Sequence, residues 1–218
     1  MIARIVSIII GYCFGMIQTS YFIGKIKGID IREHGSGNAG TTNTMRVLGK
    51  KAGILCFLVD FFKGSAATLI VRMIMMNYYP DSVNLFVVYA MLGTVLGHNF
   101  PFYLKFKGGK GIAVTGGSAV GFCDWLLDIT CICAFFGMTF ITRYVSVGSI
   151  FFMVFLAAEY IIFALNGRFM FNDSKAMMIE SIVVIIIVTG MGIIRHHGNI
   201  NRLIHHEERR IGGKKEKN

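Results

Sequence analysis

Four polar stretches interrupt an otherwise apolar chain of 218 residues, and each holds residue types suited to binding an oxyanion. The first is Gly35-Ser36-Gly37-Asn38-Ala39-Gly40-Thr41-Thr42-Asn43, with Arg46 beyond it. Hydroxyls, amides and glycines without an apolar stripe pack poorly but line a phosphate or carboxylate well. The second runs from Gly97-His98-Asn99-Phe100-Pro101 through Phe106-Lys107-Gly108-Gly109-Lys110-Gly111 to Thr115-Gly116-Gly117. Its glycines allow positive φ and leave N–H groups uncovered, so the segment can wrap an oxyanion while Lys110 adds a point charge. The third is Arg143-Tyr144-Val145-Ser146. The fourth is His196-His197-Gly198-Asn199-Ile200-Asn201-Arg202-Leu203, followed by Glu207 and Glu208. The competing reading is a set of flexible basic loops held to anionic lipid headgroups.

Several other chemistries are excluded by spacing. A nucleotide-binding G-x-x-x-x-G-K-[ST] loop needs Ser or Thr after its lysine, and Gly111 follows Lys110. The histidines His196, His197, His205 and His206 lack the spacing of a helical ligand pair with a carboxylate between them, so no metal is expected. Cys13, Cys56, Cys123, Cys131 and Cys133 lie inside apolar runs, odd in number and without CxxC pairs, which indicates neither a disulfide frame nor zinc.

The elements that must position these stretches are membrane helices. Mean hydropathy is +0.61 and charged residues are only 16%, where a soluble domain carries roughly a quarter. The net charge of +10 therefore reads as membrane orientation rather than as a nucleic-acid footprint, and no nucleic-acid partner is expected. Apolar runs predict spans over about Ile2–Ile23, Ala52–Met76, Leu85–Phe100, Gly111–Phe122, Leu126–Ile141, Ile150–Leu165 and Met177–Ile194. The fourth and fifth are read as a hairpin, because 31 residues from Gly111 to Ile141 are too many for one span and Asp124-Trp125 and Asp128 mark its bend. Ile2–Ile23 is long enough to span and has no small-residue cleavage site, so no cleavable signal is read. The whole chain, 1–218, reads as one membrane domain: a bundle over about 1–203 and a basic tail over 204–218.

Charge sets the parity. With seven spans, Lys25, Lys27, Arg32, Arg46, Lys50, Lys51, Lys105, Lys107, Lys110, Arg143, Arg195, Arg202, Arg209, Arg210, Lys214, Lys215 and Lys217 share one face. Those are seventeen of the 22 Lys and Arg, whereas six spans would set the basic tail against the basic loops. The fold expected is an all-α integral membrane protein of seven transmembrane helices, N-terminus outside and C-terminus cytosolic. All four polar stretches then fall on the cytosolic face.

Ser36 to Arg46 resembles the first motif of the bacterial acyl-phosphate:glycerol-3-phosphate acyltransferases, the PlsY family. Gly97 to Pro101 with Phe106 to Gly111 resembles its second motif, Arg143 to Ser146 its third, and His196 to Leu203 its C-terminal signature. Ala39 departs from a usual proline, Val145 from a common serine, and His205-His206 from a nearby glycine. The resemblance implies transfer of a fatty acyl group from acyl phosphate to the sn-1 hydroxyl of glycerol 3-phosphate in a bacterial plasma membrane, without a cofactor. It implies membrane lipid and the enzyme that makes acyl phosphate as partners. It also implies that Ser36, Arg46, Lys110, His196 and Asn199 hold the glycerol 3-phosphate phosphate. Asn38, Gly40, Thr41, Asn43, Gly108, Gly109 and Gly111 would surround the acyl phosphate, with Arg143 nearby and Ser146 near the reacting centre.

The general base is open between His98, His196 and substrate phosphate. A covalent acyl intermediate on Ser36 or Ser146 lacks an adjacent Asp–His relay. The acyltransferase motif H-x-x-x-x-D is absent: Tyr103 follows His98 at that spacing, Ala39 follows His34 and Asn201 follows His196. Acyl-CoA and acyl carrier protein are therefore not expected as donors. The rival class is a small multi-span transporter or channel for an anionic solute, suggested by Asp60 and Lys63 within the second span, although their i, i+3 spacing allows mutual neutralisation.

Overall fold

The structure, a computed structural model, describes residues 1–169, 171 and 174–212. Lys214, Lys215 and Lys217 of the charge pattern lie outside the described residues. The elements are α1 (Ile2–Gly15), α2 (Thr19–Ile26), α3 (Thr41–Leu48), α4 (Lys50–Met76), α5 (Val83–Asn99), α6 (Ile112–Ala119), α7 (Trp125–Thr142), α8 (Val145–Leu165), α9 (Lys175–Ile194) and α10 (His197–Ile204). Six segments are long and apolar enough to cross a membrane, and the short apolar Ile112–Phe122 lies between the third and fourth of them. These six segments and the short helix fall on the seven apolar runs that hydropathy marks.

Two boundaries differ from expectation. The first span is not continuous: α1 stops at Gly15 and α2 restarts at Thr19, with Gln18, Thr19 and Ser20 buried at the break. A broken helix at membrane depth survives only where other groups satisfy its freed backbone. Here Tyr103 Oη donates to Met16 O (2.6 Å) and Lys63 Nζ to Ile17 O (2.5 Å). The sixth span starts at Val145 rather than Ile150, so the third polar stretch forms the first turn of α8.

Close helix contact explains the glycines within spans. Gly11 and Gly15 on α1 meet Ala90, Thr94 and Gly97 on α5, while Gly93 meets Ile8; a Cβ at any of the three would enter backbone. Small residues four apart on both helices let the two backbones approach in lipid, where dispersion rather than the hydrophobic effect drives association. Gly64 against Val114 and Ser118, with Gly117 against Phe61, seats α6 beside the middle of α4. An eight-residue helix with a 3₁₀ turn (Val120–Phe122) covers about 18 Å, against about 30 Å of hydrocarbon. α6 and its 3₁₀ turn are therefore shorter than a bilayer's hydrocarbon core. Around α5 the core includes Leu85, Val88, Met91 and Val95, with Leu156 and Tyr160 of α8 and Ile185 and Val188 of α9. Phe140, Ile141, Ile186 and Ile187 face outward, as lipid contact requires.

Candidate active site

The first polar loop is built around Asn43. Its amide Oδ1 accepts from Ser36 N (2.8 Å), and its Nδ2 donates to His34 O (2.9 Å) and Ile31 O (3.2 Å). Fully buried and fully bonded, Asn43 braces the loop rather than facing a ligand, which differs from its expected role beside the acyl phosphate. The brace leaves Ser36 and Asn38 on a cleft. Gly40 caps α3, and its carbonyl accepts from Thr44 Oγ1 (3.0 Å). Thr41 Oγ1 is buried without a protein partner. Arg46, exposed in the last turn of α3, has no ion-pair partner among the described residues.

The second loop corrects a simpler expectation. Gly108 N donates to Asn99 O (3.1 Å) and Gly109 N to His98 O (3.1 Å), so neither N–H is free for a ligand. Their carbonyls are held from the other side by Arg195, whose Nη2 reaches Gly108 O (3.1 Å) and Gly109 O (3.0 Å). The glycines are needed for clearance: a Cβ on Gly108 would meet His98 O, and one on Gly109 the His98 ring and Ala39 O. The free N–H groups are those at the start of α6, where Gly111 (φ 84°) caps the helix without any side-chain cap. A helix N-terminus with open N–H groups favours an anion. The Asn99 amide lies beside Gly111, buried and unpartnered.

The fourth stretch supplies most of the charge. Lys110 Nζ donates to Asn199 Oδ1, and Asn199 Nδ2 donates to Glu208 Oε1 (2.6 Å). Arg202 Nε donates to Glu208 Oε2 (2.7 Å). Burial and the neighbouring guanidinium of Arg202 lower the Lys110 pKa to about 8, with Arg195 and Arg46 adding to the effect against Glu208. Burial would raise Glu208, but hydrogen bonds from Asn199 and Arg202 outweigh it and keep the carboxylate ionised. His196 falls to about 4 through burial and then Lys110. Its Nδ1 lies 2.7 Å from Gly192 O, so that nitrogen carries the proton and Nε2 keeps its lone pair.

The tail ties the third stretch to the fourth. Ile211 N donates to Arg143 O (2.8 Å), and Arg210 Nε donates to Tyr144 Oη (2.9 Å). This strap carries the Glu208 carboxylate up to the buried Ser146 hydroxyl. His206, at φ 59°, occupies left-handed backbone where the resemblance leads one to expect glycine nearby.

These groups line or border one cleft of about 370 Å³, the low end of small-ligand sites. Ser36, Asn38, Gly108, Lys110 and Asn199 line it directly, together with Arg32, Arg195 and Arg202. Arg46 and His196 feel its charges from the border. Arg143 contributes its carbonyl to the strap, and its exposed side chain makes no hydrogen bond among the described residues. His98 is the clearest departure from the expected set, since only 4% of it is exposed beneath Gly109 and its Nδ1 lies against Lys63. Sequence reading did not single out Arg195, Arg202 or Glu208 as site residues. Two adjacent carboxylates, Glu207 and Glu208, in so basic a tail were the signal for Glu208. Asp60 and Lys63, the feature behind the transporter alternative, neutralise each other at 2.7 Å and are both buried.

A family model described as glycerol-3-phosphate acyltransferase matches residues 5–206. Relatives of that name include one from Bacillus cytotoxicus, 38% identical over 202 residues (92% of this chain and 91% of that protein). Another, from Bacillus subtilis, is 36% identical over 205 residues, covering 94% and 95%. Among solved structures the chain is similar to PlsY (YgiH), an integral membrane glycerol 3-phosphate acyltransferase, in its glycerol 3-phosphate form. The TM-score is 0.79 at 31% identity, covering 96% of each chain. The lysophosphatidic acid form of that protein gives 0.76, covering 96% and 95%.

Proposed function

The chain belongs to the glycerol-3-phosphate acyltransferase family, and from that premise we propose how its own residues carry out the transfer. The fatty acyl group moves from acyl phosphate to the sn-1 hydroxyl of glycerol 3-phosphate, giving 1-acyl-glycerol 3-phosphate and inorganic phosphate. The observation that carries this reading is the cleft itself, where Lys110, Arg195 and Arg202 meet Ser36, Asn38 and Asn199 beside the open N-terminus of α6. Two phosphorylated substrates bring negative charge that Lys110 and Arg195, without a carboxylate partner among the described residues, can meet.

Arg46, Ser36, Lys110, His196 and Asn199 are assigned to the glycerol 3-phosphate phosphate. The acyl phosphate is assigned to Asn38, Thr41 and the N–H groups from Gly111 onward, with Gly108 and Gly109 shaping the wall. The hydroxyl oxygen attacks the acyl carbonyl carbon, the bond from that carbon to the phosphate oxygen breaks, and the hydroxyl proton leaves. Lys110 and the N-terminus of α6 stabilise charge on the departing phosphate. His196 Nε2 can accept a hydrogen bond from the hydroxyl and orient it, but at a pKa of about 4 it is a weak base. A phosphate monoester, with a second pKa of about 6, is the stronger acceptor, and the departing phosphate takes the proton. A mixed anhydride needs little further activation, so alignment supplies much of the rate.

The site is assigned to the cytosolic face of a bacterial plasma membrane, with the chain forming one membrane domain. The short α6 leaves room for an acyl chain to stay in lipid while its phosphate reaches the cleft. Purified protein in lipid, given acyl phosphate and radiolabelled glycerol 3-phosphate, should release phosphate and labelled lysolipid in equal amounts. Comparable turnover with acyl-CoA, free of contaminating phosphate exchange, would refute the donor assignment. In a cysteine-free background, an impermeant thiol reagent added to intact cells should label Cys at position 81 and spare position 107. Labelling at 107 would invert the orientation.

A further inference from the structure

Beneath the cleft, within the apolar depth of the bundle, lies a polar cluster that the transfer chemistry does not use. Lys63 on α4 makes three contacts: Ile17 O at 2.5 Å, Asp60 Oδ1 at 2.7 Å and His98 Nδ1 at 3.0 Å. An ammonium has three protons and no lone pair, so this geometry uses every donor it has. The ring nitrogen facing it must offer a lone pair, which puts the His98 proton on Nε2. That nitrogen lies directly under Gly109, where a Cβ would strike it. On the main chain, His98 O accepts from both Gln18 Nε2 (2.8 Å) and Gly109 N (3.1 Å).

We propose that Lys63 is a positioning residue for the transfer: by holding His98 in one tautomer and one orientation, it sets the height of the Gly108–Gly109 backbone and hence of Lys110 and the start of α6. This rests on the acyl-phosphate reading given above. A buried ammonium is an expensive way to satisfy one helix break, since a neutral amide or hydroxyl would serve Ile17 O at lower desolvation cost. What the ammonium adds is a fixed proton pattern. It bonds the frayed first span, the second span through Asp60 and the end of the third through His98, and Asp60 in turn accepts from Thr19 Oγ1 (3.3 Å). The three spans are thus joined at the residue that underlies the glycine loop. His98, on this account, supports the loop and does not take the proton of the reacting hydroxyl.

The test compares Lys63→Met with the doubly neutral Asp60→Asn/Lys63→Met, each as the full chain in lipid. The single variant leaves a carboxylate buried alone and should lose stability; the double variant removes that penalty and should regain it. Palmitoyl phosphate and glycerol 3-phosphate serve as substrates, and ¹⁵N spectra of histidine-labelled protein report the tautomer. The His98 signals are assigned by their loss in His98→Gln. We expect kcat with palmitoyl phosphate to fall about a hundredfold in both variants, the cost of displacing reacting groups by about 1 Å. Equilibrium binding of glycerol 3-phosphate, which also uses Lys110, should weaken by far less than kcat falls, and the Nε2–H signature of His98 should be lost. Wild-type kcat in the double variant, or retention of the Nε2–H tautomer in both, would overturn the proposal and leave Lys63 a purely structural residue. Absence of turnover in the unaltered protein would instead refute the acyl-phosphate reading, and the tautomer spectra would still decide whether Lys63 fixes His98.

Discussion

At the end of the bundle away from the cleft, Arg4 holds Glu180 with two contacts (2.5 and 2.7 Å), and Tyr89 Oη donates to the same carboxylate at 2.6 Å. Arg168 pairs with Asp124, which also caps α7, and Arg72 donates to Asn84 Oδ1 (3.0 Å). At the cleft end, Arg46 has no ion-pair partner among the described residues, Lys110 is bonded to a neutral amide, and several buried hydroxyls lack partners. Arginines fastened at one end hold helices together. At the other, Arg32 and Arg202 pair with Asp30 and Glu208, while Arg46 and Lys110 have no carboxylate partner among the described residues. An uncompensated charge costs stability, so a fold keeps it where a ligand completes it.

The sharpest way to break this contrast is Gly109→Ala. The added methyl meets the His98 ring and the Ala39 carbonyl, neither at the end of a flexible side chain, so the loop must move. We expect a loss of a hundredfold or more in kcat, on the order expected for 1 Å misplacement. Insertion and purification should stay normal; full activity would show that the loop's position does not matter. Next comes Arg46→Lys, which retains charge but loses the two-pronged grip on a phosphate. Turnover should fall by roughly tenfold to a hundredfold, mostly in apparent affinity for glycerol 3-phosphate. Parity with wild type would remove Arg46 from the phosphate site.

A pH profile sharpens the same point with a smaller effect. Lys110 loses its proton near pH 8 in the free enzyme, so kcat/KM for glycerol 3-phosphate should decline as pH rises through that value. Each further pH unit should cost about tenfold, because the neutral amine attracts no oxyanion. In Lys110→Arg the guanidinium stays charged, and whatever activity remains should lack this decline; an unchanged alkaline limb would assign it elsewhere. The smallest effect is expected at the opposite end. Glu180→Gln weakens a half-exposed ion pair that contributes about 1 kcal/mol or less after solvent screening. The melting temperature should drop slightly while specific activity holds. A large activity loss there would mean that the two ends are coupled.

Much of this molecule is readable in one dimension because a bilayer enforces local rules. Apolar runs of spanning length separated by polar loops, every second one basic, mark the helices, and Asp124 marks a bend as a helix cap must. The cleft's polar residues were visible for the same reason: Ser36, Asn38, Lys110 and Asn199 have no place in an apolar span. The Gly11/Gly15 and Gly93/Gly97 pairs were not read as contact points; only the structure shows them meeting between α1 and α5, since a small-residue pattern names a face and never its mate.

Several decisions belonged to the tertiary structure alone. Hydropathy read the first span as unbroken, because a single Gln18 does not interrupt an apolar average; the break exists because Tyr103 and Lys63, 85 and 45 residues further on, receive the freed carbonyls. Glycine's freedom suggested that Gly108 and Gly109 offer N–H groups to a ligand, yet His98 and Asn99 take them, and the open donors lie at α6. Asn43 became a brace for the same reason, since donors and acceptors are assigned by neighbours in space. Sequence specified which groups the chain owns and which of them stand outside the apolar runs. Folding decided which of them are satisfied internally, and a ligand can bind only to those that are not.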